Sequence, residues 1–230
     1  HDRADLQDEY LLETRAQAVR ATVLLGAVES PHLRAATAAE SPVLFVNRRC
    51  PGQPDAPFVG IDNAAAGTAV ADFLLERRHA GRLAVIHGPL TSSATSDRIA
   101  AFKARIGRRM SSADLATAPG LDHLEIGYQA MGTLLAAGVR PVGLFCSSDL
   151  IAFGAQRRLR EAGIAIPDDM LLIGFDDNPL NDWIAPWLSS VRVPYRAYGP
   201  AIVTCLKRLW DRPCNVSEIL DFELIDRGHP

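Results

Sequence analysis

The chain has 230 residues, 48% hydrophobic and 22% charged, which is typical of one large or two modest globular domains. Its net charge of −3 at pH 7 argues against direct binding of nucleic acid by this chain, because that needs clustered lysines and arginines. No apolar run approaches the roughly 18 residues of a membrane helix, so we expect no membrane span. The pattern of cysteines fits a cytoplasmic protein.

Five continuous apolar runs predict short buried strands. Continuous runs, rather than alternating ones, are what parallel strands covered on both faces require. The predicted strands are residues 22–28, 42–47, 83–88, 142–146 and 170–175.

Amphipathic segments of helical length lie between these strands. The predicted helices are residues 67–80, 126–137, 149–162 and a segment around 202–209. Gly81, Gly138 and Gly163 are placed to end the first three, and Pro200 is tolerable only in the first turn of the last. Alternating strands and helices with short connections predict a doubly wound, parallel α/β fold.

Polar residues follow three of the predicted strands directly. Asp176 and Asp177 follow residues 170–175, Ser147 to Asp149 follow residues 142–146, and the loop 89–97 follows residues 83–88. In an open parallel sheet, ligands bind beyond the carboxyl ends of the strands, so these positions form a candidate site. The alternative is that each residue only caps the helix that follows it.

The sequence lacks the common motifs of enzymes and cofactor-binding proteins. G-x-S-x-G, H-E-x-x-H, Walker A and G-x-G-x-x-G are absent, and the six histidines show no metal-ligand spacing. The four scattered cysteines fit reduced, buried thiols better than disulfides or a zinc site. We therefore expect binding without catalysis, cofactor or metal.

Residues 147–193 carry a family resemblance. The stretch contains D-x-x-A-x-G from Asp149 to Gly154, then AGIAIPDD, GFDD and PWLSSV in that order. It resembles the inducer-binding core of the LacI/GalR family of transcriptional regulators, and VGIDNAAAG and HGPLTSSATSDRIAAF extend the resemblance upstream. The resemblance implies two doubly wound lobes, similar to periplasmic binding proteins, with a ligand cleft between them.

The resemblance also implies a domain division and several partners. The first lobe would comprise residues 1–61 and 194–214, and the second would comprise residues 62–193 and 215–230. By this resemblance, the family's helix-turn-helix and the first strand-helix-strand of the N-terminal lobe are absent from this chain. Operator DNA would bind through that helix-turn-helix, and the core would form a homodimer.

Three charged residues match effector-binding positions of the family. Asp176 would accept hydrogen bonds from adjacent hydroxyls, with capping of the next turn as the alternative. Arg98 matches a ligand-facing arginine, although a helix-surface role stays open. Asp62 matches an acidic ligand position but is equally suited to capping the next helix.

Three further residues complete the predicted site. Ser148 stands where many relatives carry Asn, so it offers one donor-acceptor pair fewer. Tyr195 matches an aromatic residue at the cleft rim. Asp122 lies where some relatives place a side chain over the ligand, next to His123.

These residues favour a repressor core that senses a sugar or a related polyol. Purines and nucleosides are less favoured effectors within the same family. The alternative function is a solute-binding protein of a sugar transport system, which shares the architecture. A sugar-processing enzyme is disfavoured because no nucleophile-base or metal motif is present.

Overall fold

The computed structural model describes residues 3–37, 41–50, 52–116, 122–211 and 216–227. The strands of this part are β1 Thr22–Leu24, β2 Val43–Val46, β3 Phe58–Ile61, β4 Leu83–His87, β5 Met110–Ala116, β6 Gly143–Cys146, β7 Leu171–Asp176, β8 Ser189–Arg192, β9 Ser217–Leu220 and β10 Glu223–Ile225. The helices are α1 Ala4–Ala16, α2 Pro31–Thr37, α3 Asn63–Arg77, α4 Ser93–Ile106, α5 His123–Ala136, α6 Asp149–Glu161, α7 Asn181–Ile184 and α8 Tyr195–Asp211. None of these helices is both long and apolar enough to cross a membrane.

The chain divides into two compact α/β units. The first unit comprises residues 1–62, 91–94 and 194–221, and the second comprises residues 63–90, 95–193 and 222–230. Each unit has its own sheet, and most strand pairs in both sheets are parallel. The predicted parallel α/β class is therefore confirmed.

The first unit is built on a four-stranded parallel sheet in the order β1-β2-β3-β9. Helix α8 packs on this sheet through Cys205 and Leu209, which are buried. Helices α1 and α2 pack together and contribute Leu11 and Leu33 to a core that includes Phe45 and Phe58 of the sheet.

The second unit is built on a six-stranded sheet in the order β10-β8-β7-β6-β4-β5, in which only the β10–β8 pair is antiparallel among the described strands. Strand β6 shows why its sequence is continuously apolar. Leu144 belongs to the core formed with α5 and α6, whereas the ring of Phe145 lies 5.0 Å from that of Phe102 in α4. Both faces of the strand are thus buried, as doubly wound sheets require.

Two glycines allow α5 and α6 to cross closely. A Cβ atom on Gly127 would lie 1.9 Å from the Ile151 carbonyl oxygen, and one on Gly154 would lie 1.9 Å from the Leu124 carbonyl oxygen. Any larger residue would separate the two helices, so this pair of glycines sets the packing distance on that face of the sheet.

All five predicted strands are present, with shorter bounds than the apolar runs indicated. Strands β3, β5 and β8 had not been predicted, because each is short or mixes polar and apolar residues. The glycine stops were correct at Gly138 and Gly163, where φ is +70° and +69°; α3 instead ends at Arg77, before Gly81.

Two expectations about the C-terminal region were wrong. Residues 215–230 were assigned entirely to the second lobe, but β9 pairs in parallel with β3 in the first unit and only β10 joins the second. The nine residues from 217 to 225 contain one short strand for each sheet, and the sequence does not show where one ends and the other begins. Helix α8 begins at Tyr195, so Pro200 lies inside it, beyond the first turn.

Candidate functional site

The carboxyl ends of β4, β6 and β7 lie side by side in the second unit. These strands are consecutive in the sheet and parallel, so their C-terminal residues share one edge, which we call the carboxyl edge. The Gly88 amide donates to Ser147 Oγ over 3.2 Å, which joins the residues that follow β4 and β6. The structure thus brings together the strand ends that the sequence had singled out.

Arg98 of α4 is buried beneath this edge. Its Nε and Nη2 donate to Asn63 Oδ1 over 3.1 and 2.7 Å, and its Nη1 donates to the Ser147 carbonyl oxygen over 3.1 Å. The guanidinium carbon also lies 3.5 Å from the centre of the Phe175 ring, a close cation–π contact. We call Arg98, Asn63, Ser147 and Phe175 the arginine cluster.

Asp176 ends β7, directly after Phe175 of the arginine cluster, and is partly exposed. Its φ of +105° lies in the region that favours glycine, and Asp177 follows with a φ of +49°. Such conformations cost on the order of 1–3 kcal/mol each in a non-glycine residue and concentrate at binding sites. The predicted key carboxylate therefore stands on a strained turn at the carboxyl edge.

Asp177, the next residue of this turn, carries a buried carboxylate. Its side chain is only 4% exposed and forms ion pairs with Arg192 over 2.7 Å and with Arg227 over 2.8 Å. Arg192 also reaches Glu223 of β10 over 3.2 Å. Asp177 thus connects the turn after β7 to the two strands at the end of the sheet.

Asp149, the first residue of α6, is a buried carboxylate behind the same turn. Its Oδ1 accepts from Ser190 Oγ over 2.6 Å, and its Oδ2 accepts from the Asn178 amide over 2.7 Å and from Asn181 Nδ2 over 2.9 Å. We call Asp149, Asn178, Asn181 and Ser190 the aspartate cluster. It uses hydrogen bonds from neutral groups to hold a charge inside the protein.

The environment of Asp149 acts on its pKa in two directions. Burial raises the pKa of the Asp149 carboxyl above its usual range, and the hydrogen bonds from Ser190, Asn178 and Asn181 partly offset the burial. Space for this carboxylate comes from Gly174 of β7, where a Cβ atom would lie 2.2 Å from Asp149 Oδ1.

Ser148 and Asp122 each cap a helix at the carboxyl edge. Ser148 Oγ accepts from the Ile151 amide over 3.3 Å at the start of α6, and Asp122 accepts from the Glu125 amide over 2.9 Å at the start of α5. The His123 Nδ1 lies 3.0 Å from Ser148 Oγ, which joins the two helix starts. Both residues therefore cap helices, and their roles as effector contacts stay predictions; His123 lies next to Ser148 as a further polar group.

Asp62 and Tyr195 belong to the first unit. Asp62 follows β3 and is exposed, and Tyr195 begins α8 with 55% of its surface exposed. The Tyr195 ring stacks on that of Tyr198, with 6.0 Å between the ring centres. Their predicted roles as effector contacts stay predictions.

Metal-binding and thiol chemistry are not indicated in the part of the chain that the structure describes. Within it no three His, Cys, Asp or Glu side chains are grouped to hold a metal ion. Cys50, Cys146 and Cys205 are buried and not joined in disulfides, and burial raises the pKa of the Cys50 thiol to about 11. Cys214 lies outside the described residues.

Sequence reasoning missed the residues that support the site. Asn63 had been given no role from the sequence, yet its side chain bonds Arg98; Asp149 had been singled out only as a polar residue that follows a strand and starts a helix, not as the centre of a hydrogen-bonded cluster. A polar residue at the first position of a buried helix is a weak signal for such a role. The partners of Asp149 lie 29 to 41 residues away in sequence, so local pattern does not reveal them.

Comparison with known sequences identifies regulators as relatives. The family model for a periplasmic binding protein-like domain matches residues 71–228. The transcriptional repressor PurR of Salmonella paratyphi B is 34% identical over 160 residues, covering 69% of this chain and 46% of the relative. PurR of Vibrio atlanticus is 32% identical over 155 residues, covering 66% of this chain and 46% of the relative. The chain thus spans about half the length of these curated relatives.

Solved structures agree with this assignment. A regulatory protein of the LacI family from Chloroflexus aggregans is 26% identical with a TM-score of 0.82, covering 96% of this chain and 80% of that one. The lac repressor bound to ONPG in the repressed state shares the fold, with a TM-score of 0.84 at 19% identity over 98% of this chain and 69% of that one. These relatives favour the regulator over the transport protein. The chain belongs to the periplasmic-binding-protein-like domain family and corresponds to the effector-binding core of a LacI/GalR-type transcriptional regulator.

Proposed function

We propose that this core binds a small hydroxyl-bearing effector, a sugar or a related polyol, at the carboxyl edge of the second unit. The observation that carries the proposal is the partly exposed Asp176, held on a strained turn next to the arginine cluster. A carboxylate accepts hydrogen bonds from two adjacent hydroxyls, and such charge-assisted bonds are the stronger kind.

In this proposal, Arg98 supports the effector site as a buried positive charge next to the carboxyl edge. Its hydrogen bonds to Asn63 and Ser147 fix the guanidinium plane, and the Phe175 ring on which it lies belongs to the residue directly before Asp176. Buried charge that is held rigidly interacts strongly with a bound polar molecule because little water screens it.

The remaining predicted residues surround this centre in the proposal. Ser148, His123 and Asp122 would face the effector from the starts of α5 and α6. Asp62, which follows β3, and Tyr195, which begins α8, stay candidate effector contacts by the resemblance to the family. Their positions at a strand end or a helix start are typical of ligand-binding residues in α/β proteins.

A purine or nucleoside is the competing effector class. The curated relatives carry the name PurR, and the N–H groups of a purine also donate to a carboxylate. A sugar is favoured here because Ser148 and Asp176 offer hydroxyl and carboxylate partners for hydroxyl groups. Phosphorylated sugars are disfavoured, since acidic side chains at this edge would repel them.

The effector would control DNA binding by the whole regulator. We infer that a helix-turn-helix segment outside this chain binds operator DNA, that the cores form a homodimer in the cytoplasm, and that no chemistry is performed on the effector. One solved relative is described as a lac repressor dimer bound to operator and an anti-inducer. A ligand changes such an equilibrium only by its differential affinity for the two states.

A thermal-shift screen of the full-length protein tests the effector proposal. The panel is D-ribose, D-galactose, D-sorbitol, inosine and hypoxanthine. A compound present at one hundred times its dissociation constant adds about 2.7 kcal/mol, which raises the midpoint of a chain of this size by about 5 to 10 °C. A shift of the melting midpoint with a sugar or sorbitol that is lost in Asp176→Ala supports the proposal. A shift with hypoxanthine alone would mean that the effector is a purine rather than a sugar.

A second experiment tests the regulator. Sedimentation of the full-length protein at micromolar concentration should show a dimer, and fluorescence anisotropy should show DNA binding that the effector changes. Turnover of the bound sugar, detected by chromatography of the recovered ligand, would contradict a function without catalysis.

A further inference from the structure

The turn that carries Asp176 needs external support. Asp176 and Asp177 both have positive φ, at +105° and +49°, and neither is glycine. An isolated peptide would leave this conformation for a more favourable one, so the surrounding structure must determine it.

One buried carboxylate holds both amides that follow Asp176. Asp149 Oδ2 accepts directly from the Asn178 amide over 2.7 Å. Asp149 Oδ1 accepts from Ser190 Oγ over 2.6 Å, and the same oxygen of Ser190 accepts from the Asp177 amide over 3.1 Å. The turn is therefore fixed at two successive peptide groups.

Asp149 is itself fixed in place. It is 1% exposed, begins α6, and lies against Gly174, which has no side chain to displace it. The charge of Asp149 is favoured at a helix N-terminus, where the backbone dipoles point positive ends toward it. A rigid helix start thus anchors the turn at the end of β7.

The carboxylate of Asp177 is fixed from the other side. Arg192 and Arg227 hold it by ion pairs, and 4% of its side chain remains exposed. Asp177 is therefore committed to ion pairs within the protein, whereas Asp176 ends β7 at the carboxyl edge.

We propose that Asp149 and Ser190 are positioning residues for effector binding, which hold Asp176 in the geometry that accepts the effector hydroxyls. The inference rests on the proposed function, because it assigns Asp149 and Ser190 a role in binding without contact to the effector. Preorganisation of this kind raises affinity by removing the cost of ordering the turn when the effector binds.

Hydrogen exchange of the effector-free, full-length protein tests whether Asp149 and Ser190 hold the turn after β7. In Asp149→Asn and in Ser190→Ala, we expect the Asp177 and Asn178 amides to exchange at least about tenfold faster, while amides of β6 keep their protection. Asp168→Asn is the matched control, because Asp168 is exposed in the loop before β7. Unchanged exchange at both turn amides overturns the proposal whether or not an effector has been found.

A double-mutant cycle tests the effect on binding. Calorimetry would use whichever of the five panel compounds raises the melting midpoint of the wild type. Asp149→Asn should weaken its affinity about tenfold in the wild-type background and less than about twofold in an Asp176→Asn background, because the turn acts through Asp176.

The outcomes separate this inference from the proposed function. An equal loss of affinity in both backgrounds would mean that Asp149 does not act through Asp176, and overturns the positioning role. Failure of all five compounds to bind would refute the proposed effector class, while the exchange measurement would still decide on the turn. Should Asp149→Asn not fold, Ser190→Ala provides the same cycle with a smaller change.

Discussion

The second unit contains two buried charged clusters, and they differ in what holds the charge. In the arginine cluster a planar guanidinium donates three hydrogen bonds to oxygens of Asn63 and Ser147 and lies on the ring of Phe175. In the aspartate cluster a carboxylate accepts from three neutral donors. The hydrogen bonds of the arginine cluster depend on the planar shape of the guanidinium, whereas those of the aspartate cluster depend on an acceptor at position 149.

This difference assigns the clusters different tasks at the carboxyl edge. The arginine cluster places a positive charge below the proposed effector site, next to the residue before Asp176. The aspartate cluster places a negative charge behind the turn and fixes the backbone. A substitution that keeps the charge but changes the shape should therefore destabilise the arginine cluster strongly. A substitution that keeps the shape but removes the charge should be better tolerated in the aspartate cluster.

The largest effect is expected from Asp149→Ala. The change removes both acceptors and leaves the Ser190 hydroxyl and the Asn178 amide without their buried partner, so we expect about 3 kcal/mol lower free energy of unfolding. Urea unfolding followed by circular dichroism measures the difference. A loss below about 1 kcal/mol would show that water replaces the carboxylate.

Arg98→Lys should have the next largest effect, although it keeps the charge. Lysine cannot reproduce the fork that reaches Asn63 and Ser147 together, so we expect a loss of about 2 kcal/mol in unfolding free energy. The same urea titration applies, with Arg105→Lys on the exposed side of α4 as the matched control. Equal stability of Arg98→Lys and wild type would contradict the dependence on shape.

Asp149→Asn should cost less than Arg98→Lys, although it removes the charge. The neutral amide oxygen is a weaker acceptor for the Asn178 amide than the carboxylate, so the turn is held less tightly. Ser190 can still reverse its hydroxyl to accept from the new amide group, so the neighbouring buried groups keep a partner. We expect a loss of about 1 kcal/mol in the unfolding free energy. A larger loss than that of Arg98→Lys would reverse the comparison between the clusters.

The smallest effect is a pH dependence that only the aspartate cluster should show. Because burial raises the pKa of Asp149 above its ordinary value of 3.8, the folded protein binds this proton more tightly than the unfolded chain. Relative to Asp149→Asn, the wild type should lose stability as the pH rises from about 4 through the raised pKa, and then level off. Urea titrations between about pH 4 and pH 8 measure this difference, and a relative gain of stability with rising pH would contradict it.

The sequence was informative about the sheet and the edge of the site. Apolar runs predicted β2, β4, β6 and β7, because strands covered on both faces have no polar side to interrupt the run. The strand ends then placed Asp176 and Ser148 at one edge, whereas Arg98 was identified by the family resemblance; the contact of all three with an effector remains a proposal.

The supporting interactions could not be predicted from the sequence. Asp149 bonds Ser190, 41 residues later, and Arg98 bonds Asn63, 35 residues earlier. These partners meet only after the sheet has formed, and single Asp, Asn or Ser residues are common caps in any α/β chain. The division of residues 217–225 between two sheets was missed for the same reason, since pairing rather than composition decides it.

Calorimetric titration of full-length wild type and Asp176→Ala tests the central claim most directly. The titrant is the sugar or polyol of the panel that shifts the wild-type melting midpoint. Loss of two charge-assisted hydrogen bonds at about 1.5 kcal/mol each predicts at least about a hundredfold weaker affinity for Asp176→Ala, with an unfolding midpoint close to that of the wild type. Equal affinity of the two proteins would place the effector away from Asp176 and contradict the proposed site.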